Sequence, residues 1–256
     1  MPSRTIEITS SQVKTYKACR RQYELSYIEM LKPLQKAEAL EIGSSYHDKL
    51  EQLIKTGSFE RTNDKTDAMA LAFQNFIYPQ IDIVEAEKEF KIKLAHGIYL
   101  KGKIDGIQSN GIPVEHKTAG VPPDDDYIYK LNWDEQVAIY MLALDTDKLT
   151  YTVCQKPTIR QKSSETAEEY TQRCMEWYDE TKIRMFTVVR TKAELAEKKQ
   201  ELVTLAKEIR SCKHFYCNPS NCKIMRCSFA SICLNYDPEF LIGYEKKARK
   251  DEELCG

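Results

Sequence analysis

Residues Gly102 to Lys117 read GKIDGIQSNGIPVEHK. Tyr99 to Gln108 (YLKGKIDGIQ) has the texture of a strand. Asn110-Gly111 is a strong two-residue turn signal, and Pro113 to Thr118 (PVEHKT) begins another strand. Asp105 sits on the first strand and Glu115-His116-Lys117 on the second. Successive strand side chains point to opposite faces, so Glu115 and Lys117 share one face and His116 takes the other. An antiparallel pairing then brings Asp105, Glu115 and Lys117 together. Two carboxylates and a lysine so placed can hold a hard divalent cation such as Mg²⁺ or Mn²⁺ with its waters. Such a cation polarises a phosphoryl oxygen and acidifies its water, while the lysine positions that water or balances developing charge. The competing reading of the same residues is a surface hairpin with ordinary charges.

Outward from this hairpin, Lys88 to Leu94 (KEFKIKL) alternates polar and apolar residues, as a strand does. Upstream, the spacing predicts helices over 10–30, capped by Ser10 or Ser11, over 38–56 and over 66–78. Downstream come a strongly apolar helix over 133–144, a strand over 149–155 and a helical stretch over 164–180. A strand over 185–190 and a long charged helix over 192–211 follow. The order predicts an α/β chain: a mixed central sheet flanked by helices, in one domain over 1–256. Residues 1–80 form its helical N-terminal part, 81–211 its core, with a mobile insertion at 156–184, and 212–240 a cysteine-rich segment. With 256 residues, 42% hydrophobic and 30% charged, the chain is globular rather than disordered or fibrous. A net charge of −1 neither supports nor excludes a polyanionic partner. No apolar run approaches the ~20 residues of a membrane span, and MPSRTIEITSS carries no apolar signal core. The expectation is a soluble, unexported protein.

Three further polar residues stand out. His47, in Gly43-Ser-Ser-Tyr-His47, lies on the second predicted helix and could supply an imidazole to the same cation. Gln136 and Tyr140 are four apart, hence on one face of the apolar helix WDEQVAIYMLAL. Taken in order, the set Ser11-x4-Tyr16-x2-Cys19, Gly43-x3-His47, Gly102-x-Ile104-Asp105, Glu115-x-Lys117 and Gln136-x3-Tyr140 resembles the RecB-like branch of the PD-(D/E)XK nuclease superfamily. The resemblance spans about residues 10–235. It implies a restriction-endonuclease-like core and metal ligation by His47, Asp105, Glu115 and the main-chain carbonyl of His116. It makes Lys117 the catalytic lysine, with Gln136 and Tyr140 supporting the site and the substrate strand. For the acidic residue ahead of the first core strand, Glu87 and Glu89 both fit.

Nine cysteines in an unexported chain point to metal or redox chemistry rather than disulfides. Five crowd the tail: Cys212, Cys217, Cys222, Cys227 and Cys233. Thiolates at such spacing hold Zn²⁺ or iron–sulfur clusters. The iron–sulfur members of the resembled family, including CRISPR-associated ones, use one early and three late cysteines for a [4Fe–4S] cluster. By that resemblance the ligands are Cys19, Cys222, Cys227 and Cys233, with a structural role. The Cys222–Cys227 gap is longer than the family's, so Cys217 or Cys212 could replace Cys222, and zinc could replace iron. Cys154 and Cys174 read as core or surface thiols, and Cys255 sits at the extreme end.

Arg20 and Arg21, beside Tyr23 and Tyr27, could meet a phosphate backbone and stack a base. Arg160 and Lys162 form a second basic stretch that resembles phage-type members and is expected at the mouth of a nucleic-acid channel. The chain carries no G-x4-GK[ST] helicase motif. The resemblance implies a stand-alone, metal-dependent DNA exonuclease acting on ends or single strands in recombination, repair or phage DNA processing. It would work in a bacterial cytoplasm, virus-encoded or not, beside an annealing or replication protein and away from membranes. A non-catalytic DNA-binding module and a zinc-ribbon interaction protein are the competing classes. Cutting polarity and strand preference are not written in these residues.

Overall fold

The computed structural model describes residues 5–34, 38–225, 227–235 and 238–247; Cys255 lies outside them. In chain order the elements open with strand β1 (Ile6–Ile8), helix α1 (Ser10–Ala18) and helix α2 (Arg20–Tyr23). Strand β2 (Leu31–Pro33), helix α3 (Glu38–Thr56) and helix α4 (Lys65–Ala72) follow. Then come strands β3 (Ile83–Ala95), β4 (Ile98–Gln108) and β5 (Pro113–Ala119). Helices α5 (Asp125–Leu131) and α6 (Glu135–Leu144) lead to strand β6 (Lys148–Gln155), helix α7 (Ala167–Glu176) and strand β7 (Ile183–Val189). The chain ends in α8 (Lys192–Ser211), α9 (Pro219–Met225), α10 (Ala230–Asn235) and β8 (Tyr244–Lys246).

The sheet is mixed, in the order β1-β4-β5-β6-β7, with β3 also on β4. Strands β4 and β5 are antiparallel, β5 and β6 parallel, and β6 and β7 antiparallel. The expected mixed α/β architecture is therefore present. Contacts divide the chain into two compact units, one of Met1–Lys36, Glu89–Lys103 and Ala196–Gly256, the other of Ala37–Lys88 and Ile104–Leu195.

In the second unit, β5 and β6 are buried almost throughout. That is what a central strand with a parallel neighbour and helices on both faces requires. Strand alternation sorts the β5 side chains. His116 turns toward Phe73, with ring centroids 5.1 Å apart, and Lys117 turns toward Gln136 on α6. Tyr46, Leu50 and Leu53 of α3 pack with Met69, Phe73, Val114, Cys154 and Cys174 in one apolar cluster. A buried pair, Lys49 to Asp67 at 2.7 Å, joins α3 to α4. The Asp67 carboxylate also accepts from the main-chain N–H groups of Thr62 and Asn63, which offsets the cost of burying its charge.

In the first unit, β1 runs parallel to the start of β4, with Ile6 opposite Ile98. Leu25, Leu31 and Phe229 form a small buried cluster there.

Local chemistry departs from the sequence reading in three places. The cap of α1 is Thr9, not Ser10 or Ser11. Its hydroxyl accepts from the Gln12 N–H, and the Gln12 side chain accepts in return from the Thr9 N–H. The helix expected over 10–30 breaks at Cys19, whose backbone is extended. Third, α5 and the short strands β1, β2 and β8 gave no periodic signal, because three to seven residues carry too few repeats. Among the described residues, no helix is long and apolar enough to cross a membrane.

Candidate active site

The site belongs to the second unit and starts from the β4–β5 hairpin. Gly106 stands opposite Val114, so Asp105 and Glu115 come next across the two strands. There the ladder gives way to a side chain: the His116 N–H donates to Asp105 Oδ2 at 2.8 Å. The Asp105 carboxylate is thereby fixed against the strand that carries Glu115 and Lys117. His47, from the middle of α3, brings Nδ1 to 3.7 Å from Asp105 Oδ2. Gly43, one turn earlier on α3, lies close to β5; a Cβ there would stand 3.8 Å from the Thr118 hydroxyl.

Glu87 completes a three-residue group. One ligand atom from each of His47, Glu87 and Asp105 lies within 4.8 Å of the others. Glu87 has φ +56°, in the left-handed region that β-strand residues avoid. This kink in β3 breaks the two-residue alternation. Glu85, Glu87 and Glu89 share one phase in the sequence, and only the backbone turn singles out Glu87. Glu89 is exposed.

Glu115 is fully buried. Lys117 forms an ion pair with it. Burial pushes the Glu115 carboxyl up to about 8, and the nearby Asp105 charge adds to this while Lys117 opposes it. Burial likewise raises Asp105 to about 6, against the pull of Lys117. Burial alone would depress Lys117, but the Glu115 and Asp105 carboxylates outweigh it and hold the ammonium above its ordinary value. Burial depresses His47, which favours the neutral imidazole that can ligate a metal. The His116 carbonyl acts on His47 as a hydrogen-bond acceptor, so that carbonyl faces the same centre. The two carboxylates, once ionised, with a neutral imidazole and a main-chain carbonyl, form a donor set suited to a hard divalent cation.

Lys117 is held from the far side by α6. Its Nζ donates to Gln136 Oε1 at 2.9 Å, and Gln136 Nε2 donates to the Tyr140 hydroxyl at 2.8 Å. The start of α6 is set by Asp134, which accepts from the Gln136 N–H at 2.9 Å and from the Tyr151 hydroxyl at 3.1 Å. The His116 imidazole is buried on the opposite face, with Nδ1 2.7 Å from Thr152 Oγ1. The geometry thus brings together His47, Asp105, Glu115, His116, Lys117, Gln136 and Tyr140, and adds Glu87.

The cysteines form a separate group in the first unit. Cys19 Sγ accepts from the Asn218 N–H at 3.3 Å. Burial raises the Cys222 thiol, and Cys227, Cys19 and Cys217 add to the shift. Burial also raises Cys233, whose thiol contacts Cys217. Cys212 is directed elsewhere, against the Tyr16 hydroxyl. Cys154 and Cys174 are core thiols.

The basic residues divide. The Arg20 guanidinium lies over the rings of Tyr16 and Tyr216, at 5.2 and 5.0 Å, and 3.6 Å from Glu208. Arg21 is paired with Glu24 and Glu29. Arg160 is exposed and lines an open groove with Lys65, Gln161 and Tyr170; Lys162 is exposed beside it.

The sequence profile of the PD-(D/E)XK nuclease superfamily matches residues 7–77 and 60–234. No curated protein matches. Among solved structures, the chain is similar to SSO0001, with 17% identity over 91% of this chain and 89% of that one, at a TM-score of 0.47. It is also similar to a phage-related exonuclease from Haemophilus somnus, with 13% identity over 80% and 93% of the two chains, at a TM-score of 0.42. An alkaline exonuclease from Laribacter hongkongensis is similar too, with 13% identity over 80% and 88%, at a TM-score of 0.39.

Proposed function

The chain belongs to the PD-(D/E)XK nuclease superfamily, and from that premise we propose that it is a divalent-metal-dependent exonuclease acting on DNA ends or single strands. The observation that carries this reading is the buried Glu115 carboxylate. It is fully buried beside the Asp105 carboxylate and shares the Lys117 ammonium with it. Two buried carboxylates facing one ammonium leave negative charge that a divalent cation would neutralise. His47, Glu87, Asp105, Glu115 and the His116 carbonyl are the residues that would hold Mg²⁺ or Mn²⁺. Such an ion supplies Lewis acidity toward a phosphoryl oxygen and toward water.

The chain's own part is positional. Asp105 is fixed by the His116 N–H, and Lys117 is clamped between Glu115 and Gln136. Held as an ammonium, Lys117 can orient a water toward the scissile phosphate and offset the charge that builds on it. Gln136, held by Tyr140, limits where that ammonium can swing. Arg160 and Lys162 would guide the phosphate backbone; the exposure of both supports this, whereas Arg20 and Arg21 are already engaged by aromatic rings and carboxylates.

A structural [4Fe–4S] cluster on Cys19, Cys222, Cys227 and Cys233 belongs to the same proposal, with zinc as the alternative. Its support is the shared neighbourhood of these thiols with Cys217, from both ends of the chain. The biological setting would be recombination, repair or phage DNA processing in the cytoplasm, beside an annealing or replication protein.

The test is digestion of end-labelled DNA with Mg²⁺ or Mn²⁺ by the wild type and Lys117→Ala. Losing one such electrostatic group costs on the order of 10²–10³ in rate. Equal cutting by both proteins would end the assignment.

A further inference from the structure

The segment between β5 and α6 leaves the site at Lys117 and returns to it at Gln136. Between them it displays two large rings in solvent: Trp133 is 74% exposed and Tyr129 is 65% exposed. Aromatic side chains carry a large apolar area, and two of them four residues apart beside a site offer a contact surface.

The segment that carries them is braced. Arg184 Nη1 donates to the Pro123 carbonyl at 3.0 Å, and Arg190 Nη2 donates to the Leu131 carbonyl at 2.8 Å. Just after Trp133, Asp134 accepts from the Tyr151 hydroxyl at 3.1 Å and caps α6. The indole is therefore presented by a fixed backbone, not by a frayed end.

Its place relative to the chemistry is bounded by the chain. Trp133 and Gln136 are three residues apart, so their Cα atoms are separated by at most about 10 Å. Gln136 touches Lys117. Trp133 is thus joined to the residue that holds Lys117 by a span no longer than the separation of adjacent nucleotides permits a bound strand to bridge. The surrounding charge says which part of a nucleotide fits. Asp124, Asp125 and Asp126 are exposed beside Tyr129, and Asp134 and Glu135 follow Trp133. Lys130 is exposed between the two rings and can meet a phosphate, while these carboxylates disfavour a backbone lying across the rings themselves and leave their faces to an uncharged base.

We infer that Trp133 is the platform on which an unpaired nucleobase next to the scissile phosphate stacks, so that this residue sets a preference for single-stranded or frayed ends. This rests on the DNA-hydrolase reading above and adds its substrate class. Base–aromatic stacking is sequence-tolerant, so the platform favours unpaired bases without reading their identity.

The test compares wild type, Trp133→Ala and Trp133→Phe on single-stranded and blunt duplex oligonucleotides with Mg²⁺. Trp133→Ala is expected to raise KM for the single strand roughly 5- to 150-fold, the fold-change equivalent of about 1–3 kcal/mol, with kcat nearly unchanged. Trp133→Phe should recover most of the loss, and the duplex should respond less than the single strand. Independently, oligothymidylate added to a Lys117→Ala protein should quench tryptophan fluorescence, and Trp133→Phe in that background should remove the quenching. Unchanged KM in Trp133→Ala, with cutting still dependent on Lys117, would overturn the platform. So would quenching that survives Trp133→Phe. A wild type that cut nothing would instead sink the hydrolase reading, and the quenching measurement would still decide the platform.

Discussion

The Gln136 carboxamide accepts from Lys117 Nζ at 2.9 Å and donates to the Tyr140 hydroxyl at 2.8 Å. One side chain thus ties the site's ammonium to α6, whose capping Asp134 also helps to hold Lys117 charged.

Gln136→Ala leaves Lys117 with Glu115 as its remaining anchor, so the ammonium should wander. Loss of an outer partner of this kind typically costs about 10- to 100-fold. The expected outcome is a fall of that size in kcat with little change in KM, read by steady-state digestion of a labelled single strand. A change confined to KM would mean that Gln136 serves substrate binding instead.

Glu87 and Glu89 separate by geometry, and substitution should separate them in solution. Glu87→Gln is expected to weaken Mn²⁺ binding by at least about tenfold, as loss of a partner in a metal site does. Glu89→Gln should leave it unchanged. Calorimetric titration of Mn²⁺ into each variant decides the point, and equal affinities would place Glu87 outside the metal group.

The metal-free protein should lose stability as pH rises from about 7 to about 8. Glu115 has its folded-state value raised to about 8, so over that interval it holds a proton that the unfolded chain has lost. Burial holds His47 and His116 below their ordinary value, and their opposing contribution fades by about pH 7. The slope of unfolding free energy with pH is therefore negative there. Mn²⁺ should displace that proton and reverse the trend, because its ligands must be ionised. Thermal melts across this range, with chelator and with Mn²⁺, read both signs. A metal-free melting temperature that climbed with pH would contradict the burial of this acid.

Among the cysteines, Cys19→Ser should lose bound metal, while Cys212→Ser should keep it. Cys212 faces the Tyr16 hydroxyl, whereas Cys19 shares its surroundings with Cys222. Metal analysis of the purified variants, with the visible spectrum to separate iron–sulfur from zinc, checks this. Full metal content in Cys19→Ser would remove the early cysteine from the site.

Much of the site was legible because strand geometry is periodic. GKIDGIQSNGIPVEHK contains its own turn and its own two-residue phase, so Asp105 opposite Glu115, with Lys117 on the same face, follows from local rules. The i, i+4 spacing of Gln136 and Tyr140 is local in the same sense. Helix α5 was missed because its seven residues carry no clear period. Nothing in the sequence marks Trp133 as exposed, since a tryptophan before an apolar helix reads as the start of a core.

By itself, the sequence determined which chemistry was available: two acids and a lysine in one hairpin, a histidine on a helix, and a crowd of thiols near one end. Only the tertiary structure decided among equals. A left-handed backbone turn selects Glu87 over Glu89, and the fold of the first unit leaves Cys212 beside Tyr16 while gathering the other tail thiols near Cys19. The reason is that period and spacing are properties of consecutive residues. Which of several like groups meets a partner tens of residues away depends on packing, and packing is not written locally.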